Sequence, residues 1–229
     1  MHRIRLKPGL DIQQLARLLP SNAYAEHQLV WRWFAGDEAG RDFLFRREQQ
    51  GHWPLYYVLS KREAVDLSDA WEIESRPFEP RLSNGERLAF SLRANPVKIR
   101  KISDDPKVKT RRRDDVVADL KQKLYPDKNQ RPPMAQIVFE AGTEWLAGRA
   151  ERNGFALETL NVDGYHQHRL YKPGTNKPVN LSTIEFSGIL QITDAKVLTE
   201  KLFQGIGPAK AFGCGLMLVR RIAMDEDGR

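Results

Sequence analysis

Apolar and polar positions alternate from His2 to Lys7 (HRIRLK), which predicts a half-buried strand ended by Pro8-Gly9. Residues 11–19 (DIQQLARLL) have helical spacing, with Asp11 as the expected N-cap. Pro20-Ser21-Asn22 interrupts, and a second helical stretch over roughly 23–35 carries Tyr24, His27 and Trp31. Residues 42–48 (DFLFRRE) and 53–60 (WPLYYVLS) read as two strands around a Gln49-Gln50-Gly51 turn. Residues 61–70 read as a short helix, and 71–76 (WEIESR) as a strand that ends at Pro77. This order is βαββαβ, the ferredoxin-like pattern.

The same pattern follows once more. Leu88, Phe90 and Leu92 alternate along a strand at 86–94. Residues 97–133 are basic and dotted with prolines, which predicts an insertion with one short helix at 114–124. A helix over 135–152 offers Ile137, Phe139, Trp145 and Leu146 to a core. Strands are expected at 155–162 and 165–172, then a turn containing Pro173, Gly174, Asn176 and Lys177, then a long strand at 180–192. A helix at 194–203, capped by Thr193 or Asp194, leads through a glycine loop at 205–215 to a last strand at 216–222. The fold class expected is therefore α+β, with two tandem ferredoxin-like (βαββαβ) units spanning 1–80 and 85–229.

Composition narrows the function classes. No apolar run is long enough to span a bilayer, and charges at Arg3, Arg5, Lys7, Asp11 and Arg17 argue against a signal peptide. Cys214 is the single cysteine, which excludes an intramolecular disulfide framework and fits a reducing cytoplasm. The net charge of +7 is unevenly spread. Residues 1–80 hold 11 Lys/Arg against 12 Asp/Glu, whereas 81–229 hold 26 against 18. A basic half suits a polyanion, because each neutralised phosphate releases condensed counterions. A solvated basic surface explains the same counts.

Three constellations could carry chemistry. Tyr24 and His27 are three residues apart on a helix, so both side chains can reach one ligand, and Arg32 could neutralise a phosphate beyond them. Histidine suits proton transfer near neutral pH; the bland alternative is a packed tyrosine and an ordinary histidine. The loop with Gly205, Gly207, Gly213 and Gly215 lets backbone approach a partner closely and carries Lys210. It follows a helix and opens a strand, the reverse of a dinucleotide fingerprint, and no Walker A sequence occurs. A hairpin at 165–180 bears Arg169, Lys172 and Lys177, which could lie along a nucleic-acid groove; a soluble loop would look the same. Arg111, Arg112 and Arg113 in the insertion compete for that role. His166 and His168 share a strand face but lack a Cys or acidic cluster, so neither a metal nor a cofactor is expected.

Several segments resemble the CasE family of CRISPR repeat-RNA endoribonucleases. They are Tyr24-x-x-His27, Arg41-Asp42-Phe43-Leu44-Phe45-Arg46, Leu92-Arg93-Ala94-Asn95-Pro96-Val97-Lys98, Phe186-Ser187-Gly188-Ile189-Leu190, and Gly205-Ile206-Gly207-Pro208-Ala209-Lys210 through Gly213-Cys214-Gly215-Leu216. They occur in the family's order along nearly the whole chain. The resemblance implies tandem ferredoxin-like domains and metal-independent cleavage of CRISPR precursor RNA at the base of a repeat hairpin. It also implies 2′,3′-cyclic phosphate and 5′-OH ends, retention of the mature guide RNA, and assembly with other Cascade subunits. His27 matches the family's catalytic histidine and Tyr24 its partner. Arg32 stands where some relatives have lysine. A non-catalytic RNA-binding scaffold and a dinucleotide-dependent enzyme are the competing functions; a cleavage assay and a nucleotide-binding assay separate them.

Overall fold

The computed structural model describes residues 1–34, 40–101, 111–171 and 178–222. Its first half is built on β1 (His2–Leu6), two helices α1 (Ile12–Leu18) and α2 (Ala23–Arg32), and strands β2 (Phe43–Gln50), β3 (Trp53–Ser60) and β4 (Trp71–Ser75). The strands form one antiparallel sheet in the order β2-β3-β1-β4. Asp11 caps α1 through the Gln13 and Gln14 amides, as the sequence predicts, and Gln14 returns a hydrogen bond by accepting from the Asp11 amide. Asn22 caps α2 by accepting from the Tyr24 and Ala25 amides at 2.9 Å each. That cap sets where Tyr24 and His27 begin their turn.

The helix expected at 61–70 is absent. The segment is a strap, because Asp66 accepts from the Ser68 and Trp71 amides and so offers the backbone an alternative to helical bonding. Val65 donates to the Trp33 carbonyl at 2.8 Å, which pins the strap to the end of α2.

The second half contains β5 (Arg87–Ala94), β6 (Val97–Lys101), β7 (Arg111–Asp115), α3 (Val116–Leu124), α4 (Met134–Ala150), β8 (Phe155–Leu170), β9 (Val179–Ile192), α5 (Ala195–Gln204) and β10 (Met217–Arg221). Its main sheet has the order β10-β5-β9-β8, the same ferredoxin-like arrangement as the first. Three expectations need correction. The two strands expected at 155–162 and 165–172 are one strand, β8, with register shifts between Leu157 and Thr159 and between Asp163 and His166. Gly164, at φ 59°, lies at the second shift and hides the continuity from a periodicity reading. The insertion also holds a two-stranded ribbon, β6 with β7, that the basic sequence conceals. Phe139, expected in the core, is exposed, whereas Ile137, Trp145 and Leu146 are buried.

β2 explains how the halves meet. Phe43, Leu44, Phe45 and Arg46 are buried in succession, so both faces of the strand are covered. Phe43 and Phe45 enter the first core with Val30, Trp33 and Tyr56. Leu44 packs instead with Leu59 and with Leu216 of the second half. Arg46 pairs with Glu185 of β9 at 3.1 Å, and Glu185 also pairs with Arg93 of β5. This partly buried cluster, with Arg46 also paired to Glu48, joins the two sheets by charge as well as by packing. No helix among the described residues is long and apolar enough to cross a membrane.

Candidate functional site

The N-cap at Asn22 starts α2 so that Tyr24 and His27 lie on neighbouring turns, both half-buried. His27 is held from two sides. On its own helix, the Trp31 indole Nε1–H donates to His27 Nε2 at 3.0 Å. From the second half, the helical turn Lys210–Phe212 packs against α2 and β2, and the Phe212 ring centroid lies 6.4 Å from that of His27. His27 Nδ1 is buried with no well-aligned hydrogen bond, and the Ala211 backbone beside it favours the protonated ring. Burial outweighs that and, with the Arg41 charge, holds His27 below the ordinary histidine range. The ring is therefore neutral at pH 7, the state a proton acceptor needs.

Arg41 and Lys210 bring positive charge to the same place. Burial lowers both, and Arg41 acts on both His27 and Lys210. Lys210 Nζ donates to the Gln204 carbonyl at 2.5 Å, which fastens it to the loop. Neither cation has a carboxylate partner among the described residues. Two cations sharing a neighbour without a counter-ion are arranged for a ligand anion such as a phosphate.

The glycine loop makes this geometry possible. Gly213 adopts φ 73°, and a Cβ there would sit 3.3 Å from the Phe45 ring. Gly205 adopts φ 77°, with both Leu44 methyls 3.0 Å from where its Cβ would be. The loop thus lies directly on β2 and delivers Lys210, Ala211 and Phe212 to α2. Gly213→Ala is expected to destabilise the fold by about 1–3 kcal/mol, from the left-handed backbone and the ring contact together. A thermal melt checks it; an unchanged Tm would mean that the loop yields freely. Cys214, beside it, is fully buried, and burial pushes its thiol up to about 12, so it is not a nucleophile.

A groove of about 710 Å³ continues from Phe212 and Pro208 across the second half, between the β8–β9 hairpin and the β6–β7 ribbon. Arg169 and His168 line one wall and Arg113 the other. Arg112, by contrast, is tied to Asp114 at 2.6 Å, and the side chain of Arg111 lies outside the described residues. So do Lys172 and Lys177. Arg32 is exposed in the last turn of α2. His166 and His168 lie 6.4 Å apart by ring centroid, and His168 Nε2 hydrogen-bonds the Thr183 hydroxyl at 3.1 Å. Among the described residues no group of three or more His, Cys, Asp or Glu is arranged to hold a metal ion.

A family model described as "CRISPR associated protein" matches residues 1–221. The CRISPR system Cascade subunit CasE of Escherichia coli (strain K12) is 31% identical over 206 residues, covering 89% of this chain and 94% of that protein. This chain belongs to the CasE family of CRISPR-associated proteins.

Another CasE-like relative, the CRISPR-associated endoribonuclease Cse3 of Thermus thermophilus, is 29% identical over 191 residues, covering 80% and 82% of the two chains. Two solved structures share the fold. The crystal structure of Cas6e from E. coli K-12 superposes with a TM-score of 0.63 at 24% identity, over 97% of this chain and all of that one. Thermus thermophilus Cse3, bound to an RNA representing a pre-cleavage complex, superposes at 0.67 and 23%, over 96% and 97%.

Within this CasE-family chain, the fold brings the helix carrying Tyr24 and His27 against the loop carrying Lys210, two constellations that stand far apart in the sequence. It also adds three residues to which the sequence assigns no role. Trp31 is legible in principle, since four residues on a helix put it over His27. Arg41 stands inside a family-like segment without a role of its own. Phe212 reaches His27 only through docking of the halves, and nothing local in the sequence signals that.

Proposed function

We propose that this CasE-family protein is an endoribonuclease that cuts CRISPR precursor RNA at the base of a repeat hairpin, remains bound to the guide RNA, and works in the cytoplasm with other Cascade subunits. The observation that carries the reading is His27: a neutral histidine fixed between α2 and the Lys210–Phe212 turn, beside the cations Arg41 and Lys210, which have no carboxylate partner among the described residues. The relatives' names, a Cascade subunit and an endoribonuclease, support the same reading. Division of labour follows the chain, with 1–80 supplying Tyr24 and His27 and 85–229 supplying the groove and the glycine loop.

RNA carries its own nucleophile, the 2′-OH beside the scissile phosphate. His27 Nε2 accepts its proton as O2′ bonds to phosphorus and the bond to O5′ breaks. The leaving O5′ takes a proton, from the Tyr24 hydroxyl or from water, which leaves a 2′,3′-cyclic phosphate and a 5′-OH. Arg41 and Lys210 offset the charge that develops on the phosphoryl oxygens. Alignment of the 2′-OH with the departing oxygen supplies much of the remaining acceleration. This chemistry needs no metal-bound nucleophile.

A repeat hairpin with hydrogen in place of the 2′-OH 5′ of the cut is expected to bind normally and remain uncut. The unmodified hairpin is expected to be cut in excess EDTA. End mapping on a denaturing gel reads both. Cleavage of the deoxy substrate would eliminate internal attack, and loss of activity in EDTA with rescue by a divalent ion would eliminate the metal-free route.

A further inference from the structure

We infer that Trp31 is a positioning residue that fixes the tautomer of His27, leaving the lone pair on Nε2 and the proton on Nδ1. The inference rests on the proposed role of His27 and says how that base is prepared. An indole nitrogen can only donate a hydrogen bond. With Trp31 Nε1 at 3.0 Å from His27 Nε2, that ring nitrogen must be the acceptor. The neutral ring therefore carries its proton on Nδ1, which is buried. Nε2 is the nitrogen left for a substrate, and in the free protein the indole N–H stands where the hydrogen of an RNA 2′-OH would point. RNA binding exchanges one donor for the other.

The indole is itself held in place. Its ring meets Phe43 edge to face, with centroids 5.1 Å apart at 77°. The Arg62 guanidinium lies over it at 5.9 Å from the ring centroid, and over Phe34 at 5.3 Å. Asp42 in turn grips Arg62 with two hydrogen bonds, of 2.8 and 2.7 Å. The resulting chain runs from Asp42 through Arg62 and Trp31 to His27, so a carboxylate orients a histidine by way of an aromatic ring. A cation over an indole is an ordinary attraction that also favours one ring orientation. The charged group acting directly on His27 is Arg41, with Lys210 beside it from the loop; Glu26, the preceding residue on α2, points away to Tyr56 and Arg47.

The test begins with the unaltered protein. In RNA-free protein labelled with ¹⁵N at histidine, the resonance that disappears in His27→Gln identifies this ring. Its Nδ1 is expected to be protonated and its Nε2 unprotonated above the ring's pKa. Trp31→Phe keeps the aromatic packing on Phe43 and removes only the donor. It is expected to shift the tautomer toward Nε2–H. It should also move the acid limb of the single-turnover pH profile, taken at subsaturating RNA so that it reports the free protein, up by about 0.5–1 pH unit, because the indole donor favours the neutral ring. At pH near that limb the cleavage rate should fall by up to about tenfold. A structural role alone would lower Tm without changing either the tautomer or the pH midpoint. Protonated Nε2 in the wild-type protein overturns the inference, whatever the variants do. So does a Trp31→Phe protein with an unchanged tautomer and midpoint. If His27 shows the expected tautomer yet His27→Ala still cuts RNA, the functional reading fails while the tautomer assignment stands.

Discussion

His27→Ala is expected to slow single-turnover cleavage of a repeat hairpin by about 10²–10⁴-fold, or about 2.7–5.5 kcal/mol of transition-state stabilisation, with RNA affinity nearly unchanged. A proton-transfer group acts mainly in the transition state, so binding and rate should separate. Tyr24→Phe removes one hydroxyl and should slow the reaction less. The pH profile adds a sign. Burial and the Arg41 charge lower His27, so the unprotonated form persists below the ordinary histidine value. The rate should therefore rise with pH to a midpoint below about 6.5 and be level near neutrality. Single-turnover rates across pH, with a parallel filter-binding titration, measure all of this. A His27→Ala protein that cuts at the wild-type rate would move the site elsewhere, and a rate that falls as pH rises through about 6 would make His27 an acid.

The second large effect concerns binding. Replacing Arg169, Lys172 and Lys177 together with alanine is expected to weaken hairpin binding and flatten its salt dependence, by about 0.7–0.9 in log–log slope for each phosphate no longer neutralised. Arg113→Ala should weaken binding further, since Arg113 and Arg169 line opposite walls of one groove. Arg112→Ala should matter less, because its charge is already matched by Asp114. The hairpin and the insertion share one groove, so both are expected to contribute if A-form RNA is read there through backbone and shape. Cleavage on saturating RNA should stay close to normal in these variants, as Tyr24 and His27 belong to the other half of the chain. Titrations across a salt series check this. An unchanged slope in the triple variant would take the RNA off that wall.

Much of the architecture is legible in the sequence because period-two and helical patterns agree with punctuation. Pro8-Gly9 ends β1 and Asp11 caps α1, and the strict alternation at Leu88, Phe90 and Leu92 gives β5 its buried face. The departures have local causes. Residues 61–70 contain good helix formers, yet Asp66 takes the amides that a helix would need. The ribbon β6–β7 is stabilised by cross-strand pairing among charged residues such as Arg100 and Asp114, a pattern that reads as loop in sequence. The candidate histidine and tyrosine are visible from spacing alone. Their setting is not, because Phe212, Lys210 and Arg41 come to His27 from positions distant along the chain.

That distance has a consequence for the order of events in the cell. α2 leaves the ribosome well before the turn that packs against it, since that turn lies in the other half of the sequence. Until the Lys210–Phe212 turn has been made, His27 lacks the Phe212 ring that packs beside it. The close approach of the glycine loop to Leu44 and Phe45 therefore ties the surroundings of His27 to the docking of the two halves.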